Sequence, residues 1–236
     1  MQSSSQKVAA VNGGVMQIAE GDADRERDLV LGALAHDLRS PLQAILMGIA
    51  IVARAGPSDA LLSKMTSVVK GMERLIDQLL SFACTRTGEI QLARRPVALA
   101  PLCQELIGEL KLAYPRHAIS FGPPCGDACG EWDPDRLAQV VRNLLSNALM
   151  HGDQRTPVSL TIRDTGEAAE LSVANSGKPI PDEVRAHLFE PFRRGSGDGC
   201  GLGLYIVDQL VRAHGGSIEL ISGATIVFKV TLPKAR

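Results

Sequence analysis

Four short stretches hold residues whose types and spacing could do chemistry. The first is Ala35-His36-Asp37-Leu38-Arg39-Ser40-Pro41-Leu42, an imidazole beside a carboxylate. The second is Asn143-Leu144-Leu145-Ser146-Asn147-Ala148-Leu149-Met150-His151, where two amides and an imidazole recur every four residues. On a helix that spacing draws them into one ridge, which can hold a hydrated divalent cation and the phosphates around it. The third is Val173-Ala174-Asn175-Ser176-Gly177-Lys178-Pro179, a strand running into a turn that could set a polar side chain against a base edge. The fourth is Gly195-Ser196-Gly197-Asp198-Gly199-Cys200-Gly201-Leu202-Gly203-Leu204. Glycines let backbone approach phosphate, and a helix beginning there offers unpaired N–H groups and a favourable dipole. It lacks the Gly-Lys-Ser/Thr of a Walker loop, and no strand precedes it as a dinucleotide fingerprint requires.

The elements that must carry these stretches follow from periodicity. Leu31, Leu34, Leu38, Leu42, Ile45, Ile49 and Val52 step by three and four, the seam of a packed helix. His36 then points away from the seam, and Pro41 should bend the helix just beyond it. Gly56-Pro57-Ser58-Asp59 makes a turn, with Ser58 or Asp59 available to cap the next helix. In that helix Leu62, Met65, Val69, Met72, Ile76 and Leu79 form one apolar column, and Leu61, Val68, Leu75 and Phe82 a second. Two helices cannot hide so wide a stripe. Pairing two hairpins into a four-helix bundle would bury it; the alternative cover is the C-terminal half of the same chain.

Arg94-Arg95-Pro96 marks a hinge, after which the pattern changes. Strands are expected near 96–99, 118–121, 158–163, 170–174, 217–221 and 225–232. Helices are expected over 101–112, 134–150, from 181, and over 202–214. Thr165-Gly166 joins two alternating runs into a hairpin, and Gly215-Gly216 stops the last helix. The fold class is therefore α+β: a helical hairpin followed by a mixed sheet with helices on one face. The expected divisions are an arm over 1–22, the hairpin over 23–90 and the sandwich over 91–236.

Composition narrows the partners. A net charge of −1 over 236 residues advertises neither nucleic acid nor anionic lipid. Five scattered cysteines read as reduced thiols of a cytoplasmic protein, and Cys125 and Cys129 lack companions for a metal site. No signal peptide is visible, and the greasy run 44–53 is too short to cross a bilayer.

In their order and spacing these motifs, with Phe189-Glu190-Pro191-Phe192 as a fifth, resemble the two-component sensor histidine kinases from about residue 23 onward. The resemblance implies a dimeric phosphoacceptor hairpin and a Bergerat-type ATP-binding sandwich, as in gyrase, mismatch-repair and heat-shock ATPases. It implies that His36 takes the γ-phosphoryl group of ATP through a ring nitrogen. Asp37 would orient the ring and take its proton, with the imidazole largely neutral given an ordinary pKa of about 6.5. Asn147, assisted by Asn143, would hold Mg²⁺, with His151 near the phosphates. Asn175 and Gly177 would contact the base, Arg193 and Arg194 would clamp phosphate, and Gly199, Gly201, Leu202, Gly203 and Leu204 would form lid and cradle. The phosphoryl group would pass to an aspartate of a response-regulator receiver domain, under an upstream sensor outside this chain. Two positions depart from the family pattern. Asn175 replaces the usual Asp, so adenine should bind about 1–2 kcal/mol more weakly. Ser40 stands where Thr, Asn or Gln commonly supports dephosphorylation of the partner. A non-catalytic dimeric scaffold, or an ATPase that does not use histidine, are the rival expectations.

Overall fold

Gly56 and Pro57 separate two helices. The computed structural model describes residues 38–86, 90–192, 201–223 and 225–234. Helix α1 occupies 38–55 of these and runs unbroken through Pro41. It ends where Gly56, at φ 79°, donates to the Val52 carbonyl. Helix α2 covers Asp59–Arg86. Of the two candidate caps it is Ser58 that acts, its Oγ accepting from Leu61 N–H at 3.3 Å. The chain divides into two compact units, Met1–Met72 and Glu73–Arg236.

Within the first unit the two helices approach closely at Gly48. A Cβ there would lie 2.6 Å from Met65 Sδ. This contact adds Gly48 to the expected seam. The covered positions of α1 are Leu38, Pro41, Ile45, Gly48 and Val52, while Leu42 and Ile49 are exposed. Glycine adds nothing to a count of apolar side chains, yet it is the residue that admits a large neighbour. The greasy run is also longer than 44–53: the 18 residues Leu38–Ala55 are long and apolar enough, by length and composition alone, to cross a membrane. The uncharged part between Arg39 and Arg54 nevertheless rises only about 21 Å, short of a ~30 Å hydrocarbon core.

The second unit holds a five-stranded sheet of order β2-β4-β5-β7-β6, where β2 is Ile119–Phe121, β4 Val158–Asp164, β5 Ala168–Asn175, β6 Ser217–Ser222 and β7 Ile226–Pro233. Only the β2–β4 pairing is parallel. Burial alternates along β4, β5 and β7, which puts Leu160, Ile162, Leu171, Val173, Phe228 and Val230 on the core face. The opposite face is polar, with Lys229 paired to Glu219 and, at 3.8 Å, to Glu170. Against the core face lie helices α3 (Leu99–Ala113), α4 (Pro134–His151) and α6 (Gly203–Ala213). A four-residue helix α5, Asp182–Arg185, lies between β5 and α6 in sequence.

One element escaped the sequence reading. Strand β3, Cys129–Trp132, pairs antiparallel with β1, Arg95–Ala98, in a separate two-stranded ribbon. Its anchor is Trp132, fully buried and donating Nε1–H to the Pro233 carbonyl at 2.9 Å. Cys125 and Cys129 are exposed free thiols, while Cys103 is buried and its pKa is pushed up to about 12 by that burial.

Candidate functional site

Helix α4 is the beam on which the site is built. Its start is fixed by Asp133, which accepts from the backbone N–H groups of Asp135 and Arg136, and by Pro134 in the first turn. A third donor, Ala93 N–H, reaches Asp133 from the segment leading into β1 at 2.9 Å. Burial alone would raise the Asp133 carboxyl, but the backbone donors Arg136, Ala93 and Asp135, with the Arg136 charge, hold it below the usual carboxylate range. Leu137, Val140, Val141, Leu144, Leu145, Ala148 and Leu149 bury the inner side of α4. Asn143 and Asn147 are left half-buried on the other side, with His151 exposed in the last turn.

Asn143 meets the start of α6. Its Nδ2 donates to the Gly203 carbonyl at 3.4 Å, which leaves Oδ1 as the acceptor it can offer a ligand. Helix α6 begins without a side-chain cap, at Leu202. Its first backbone N–H groups therefore receive no bond from the N-cap side chain, and such an end favours an anion. Gly201 takes φ 68°, and Phe192, at φ 61°, donates its N–H to the Gly201 carbonyl at 3.2 Å. A phenylalanine at positive φ is strained. It is held by ring contacts with Phe82 of α2, edge-on at 5.1 Å, and Phe82 in turn meets Tyr205 of α6 at 5.6 Å. Leu202 is fully buried, so it can offer a ligand only its backbone; Leu204 is half-buried.

The other end of α4 meets β5. Asn175 closes that strand opposite Ile226 of β7 and is only 4% exposed. Its Nδ2 is buried and has no hydrogen-bond partner among the described residues. Two glycines flank the amide. A Cβ on Gly177 would lie 3.0 Å from the His151 carbonyl and 3.1 Å from Asn175 Nδ2; one on Gly152 would lie 3.2 Å from Asn175 Cβ. Asp153 N–H donates to the Ser176 carbonyl at 2.6 Å and ties the two turns together.

The described part of the site thus has two ends joined by α4: Asn143 with Gly203, and His151 with Asn175 and Gly177. Asn143 and His151 lie about 12 Å apart along the helix axis. Ser146 belongs here too, although the sequence reading passed over it. It shares the arc of Asn143 and Asn147, and its hydroxyl is buried without a partner among the described residues. The three-residue offset from Asn143 was the available signal. Neutral amide oxygens fit a cation that keeps water and phosphate among its ligands, as Mg²⁺ does, rather than one needing an all-protein cage. Ser40 is exposed on α1, in the other unit. His36, Asp37, Arg193, Arg194 and Gly199 lie outside the described residues.

Comparison with known proteins bears on this geometry. Residues 132–236 match the family described as histidine kinase-, DNA gyrase B- and HSP90-like ATPase. The chain is 36% identical over 222 residues to a bacteriophytochrome of Pseudomonas aeruginosa, covering 90% of this chain and 30% of that protein. It is 35% identical over 240 residues to the sensor histidine kinase TrcS of Mycobacterium tuberculosis, covering 94% of this chain and 46% of that one. The chain therefore spans less than half the length of either relative. The full-length structure of ShkA in complex with AMPPNP superposes with a TM-score of 0.62 at 28% identity, over 87% of this chain and 45% of that one.

Proposed function

We propose, from the premise that this chain carries the ATP-binding catalytic domain of a two-component histidine kinase, that it phosphorylates itself on His36 and passes the phosphoryl group to a receiver-domain aspartate. In the first step a neutral ring nitrogen of His36 forms a bond to the γ-phosphorus, the bond to the β-phosphate oxygen breaks, ADP leaves, and Asp37 takes the ring proton. In the second, a receiver carboxylate displaces the imidazole from phosphorus. Such transfer is mostly positioning and charge neutralisation. Asn147 and Asn143 would hold Mg²⁺, which would offset charge on the phosphates. His151, Arg193 and Arg194 would contact phosphate, with Gly199, Gly201, Leu202, Gly203 and Leu204 supplying backbone and hinge. Asn175 and Gly177 would receive the base.

The observation that carries this reading is the joining of two half-sites by one helix. An amide ridge abuts an uncapped helix start, and a buried unpaired amide lies between two glycines. The AMPPNP named for ShkA supports a nucleotide there. The division into arm 1–22, hairpin 23–90 and catalytic part 91–236 belongs to the same reading, as do assembly as a homodimer through the hairpin, a cytoplasmic location and control by an upstream sensor. Exposed Leu42, Leu46, Leu62, Val69 and Ile76 support the dimer, since they lack cover within the described chain.

Incubation with γ-labelled ATP and Mg²⁺ tests the proposal. Acid-labile, alkali-stable label that vanishes in His36→Gln is the expected result. Nucleotide binding without label would replace it with a scaffold role. Released phosphate without labelled protein would replace it with an ATPase.

A further inference from the structure

We propose that Asn175 makes the base end of this cleft ambivalent between 6-aminopurine and 6-oxopurine nucleotides. The inference rests on the nucleotide reading above and concerns only which base is taken. Asn175 is buried at the end of β5, and its Nδ2 has no hydrogen-bond acceptor among the described residues. Buried polar groups are almost always paired, so this donor awaits one from a ligand. Gly152 and Gly177 pack against that side chain, and a Cβ at either would crowd it.

A carboxamide has both an acceptor and donors on one planar group. Half a turn about its last side-chain torsion exchanges them, and that torsion is broad and roughly two-fold. Adenine offers an amino donor at C6 and an acceptor at N1. Hypoxanthine and guanine offer the inverse, a carbonyl at C6 and an N–H at N1. With Oδ1 toward C6 the amide pairs with adenine; rotated, it presents Nδ2–H to a 6-oxo group and Oδ1 to N1–H. Both bases can therefore make two bonds. A carboxylate at 175 could only accept. Reaching C6 alone, it would accept from the amino base and meet a 6-oxo group as two acceptors face to face. Neither flanking residue supplies a side chain to break the symmetry, because both are glycine.

Calorimetric titration of the full chain with ATP, ITP and GTP, each with Mg²⁺, tests this. ITP isolates the C6 exchange, and GTP adds a 2-amino group. The wild-type chain is expected to bind ITP within about tenfold of ATP, and Asn175→Asp to raise the preference for ATP over ITP by about tenfold or more, the scale of one charged hydrogen bond. Asn175→Ala should weaken both and leave their ratio near that of wild type. Circular dichroism checks each fold; if a variant does not fold, the wild-type ratio decides alone. Binding of ATP with rejection of ITP by more than about a hundredfold overturns the proposal and leaves the nucleotide reading intact. Failure of all three nucleotides to bind overturns both.

Discussion

Asn143 of α4 donates its side-chain amide to the Gly203 carbonyl at 3.4 Å, so the amide ridge and the start of α6 are physically coupled. Removing that donor loosens the amide ridge and the α6 start at once. Asn143→Asp sets a carboxylate against a carbonyl and should cost about 1 kcal/mol, a fall in melting temperature of about 2–4 °C in a chain of this size. The larger effect is expected in the liganded state. The thermal shift produced by ATP with Mg²⁺ should shrink by more than the loss of intrinsic stability. A variant with the wild-type shift would show that the bond is only structural.

Gly177 separates a packing role from a binding one. A methyl group there meets the His151 carbonyl at 3.0 Å and Asn175 Nδ2 at 3.1 Å, tight contacts that small movements can relieve. Its φ lies outside the left-handed region, so Gly177→Ala carries no backbone strain of that kind. Stability should fall by about 1 kcal/mol in urea titration, while nucleotide affinity falls more than about tenfold because the methyl crowds the Asn175 amide. Equal losses in both would place Gly177 in the core rather than the cleft.

The outcome at these residues shows what a sequence can and cannot reveal. Helix α4 was legible end to end because its cap, its proline and its apolar period are all local. The α6 boundary was legible because its apolar period and the Gly215-Gly216 stop are local as well. Strand β3 was not: Cys-Gly-Glu-Trp shows little alternation, and it is extended only because β1 pairs with it from more than 30 residues away. Gly48 was missed from the α1 seam, since close approach depends on the Met65 that enters it. The solitary donor of Asn175 is likewise a property of its surroundings, visible only once Gly152 and Gly177 are set beside it.

His214 supplies a pH dependence of stability. Its ring is buried, with Nδ1–H donating to the Leu210 carbonyl at 2.7 Å and Nε2 accepting from Asp133 N–H at 3.1 Å. Burial pushes the imidazole below the usual histidine range; the Leu210 carbonyl opposes this, the nearby Arg94 charge reinforces it, and the Asp133 charge opposes it. The folded chain therefore binds the proton less readily than the unfolded one. The stabilisation is fully present above about pH 6.5 and is lost as pH falls toward and through the lower folded value. Melting temperature should decline from pH 6.5 toward 5. His214→Gln should be less stable at pH 7.5 by about 1–3 kcal/mol and should show a flatter decline over that interval. An unchanged slope would assign the acid sensitivity to another group.

The uncovered stripe of α2 makes the last prediction. Leu62, Val69 and Ile76 recur every seven residues and are 45%, 42% and 46% exposed. Leucine, valine and isoleucine at that repeat form a seam, and an unpartnered seam of this length favours self-association. A charge at its centre is costly to bury across a dimer and costs little on a free surface. Val69→Glu should therefore convert a dimer to a monomer in sedimentation velocity while leaving the thermal transition of the second unit within about 2 °C, since surface changes away from a packed core are nearly neutral. Nucleotide binding should persist in that monomer, because every described residue of the candidate nucleotide site lies in Glu73–Arg236. A wild-type chain that sediments as a monomer, or a Val69→Glu dimer as tight as wild type, would remove this stripe as the contact.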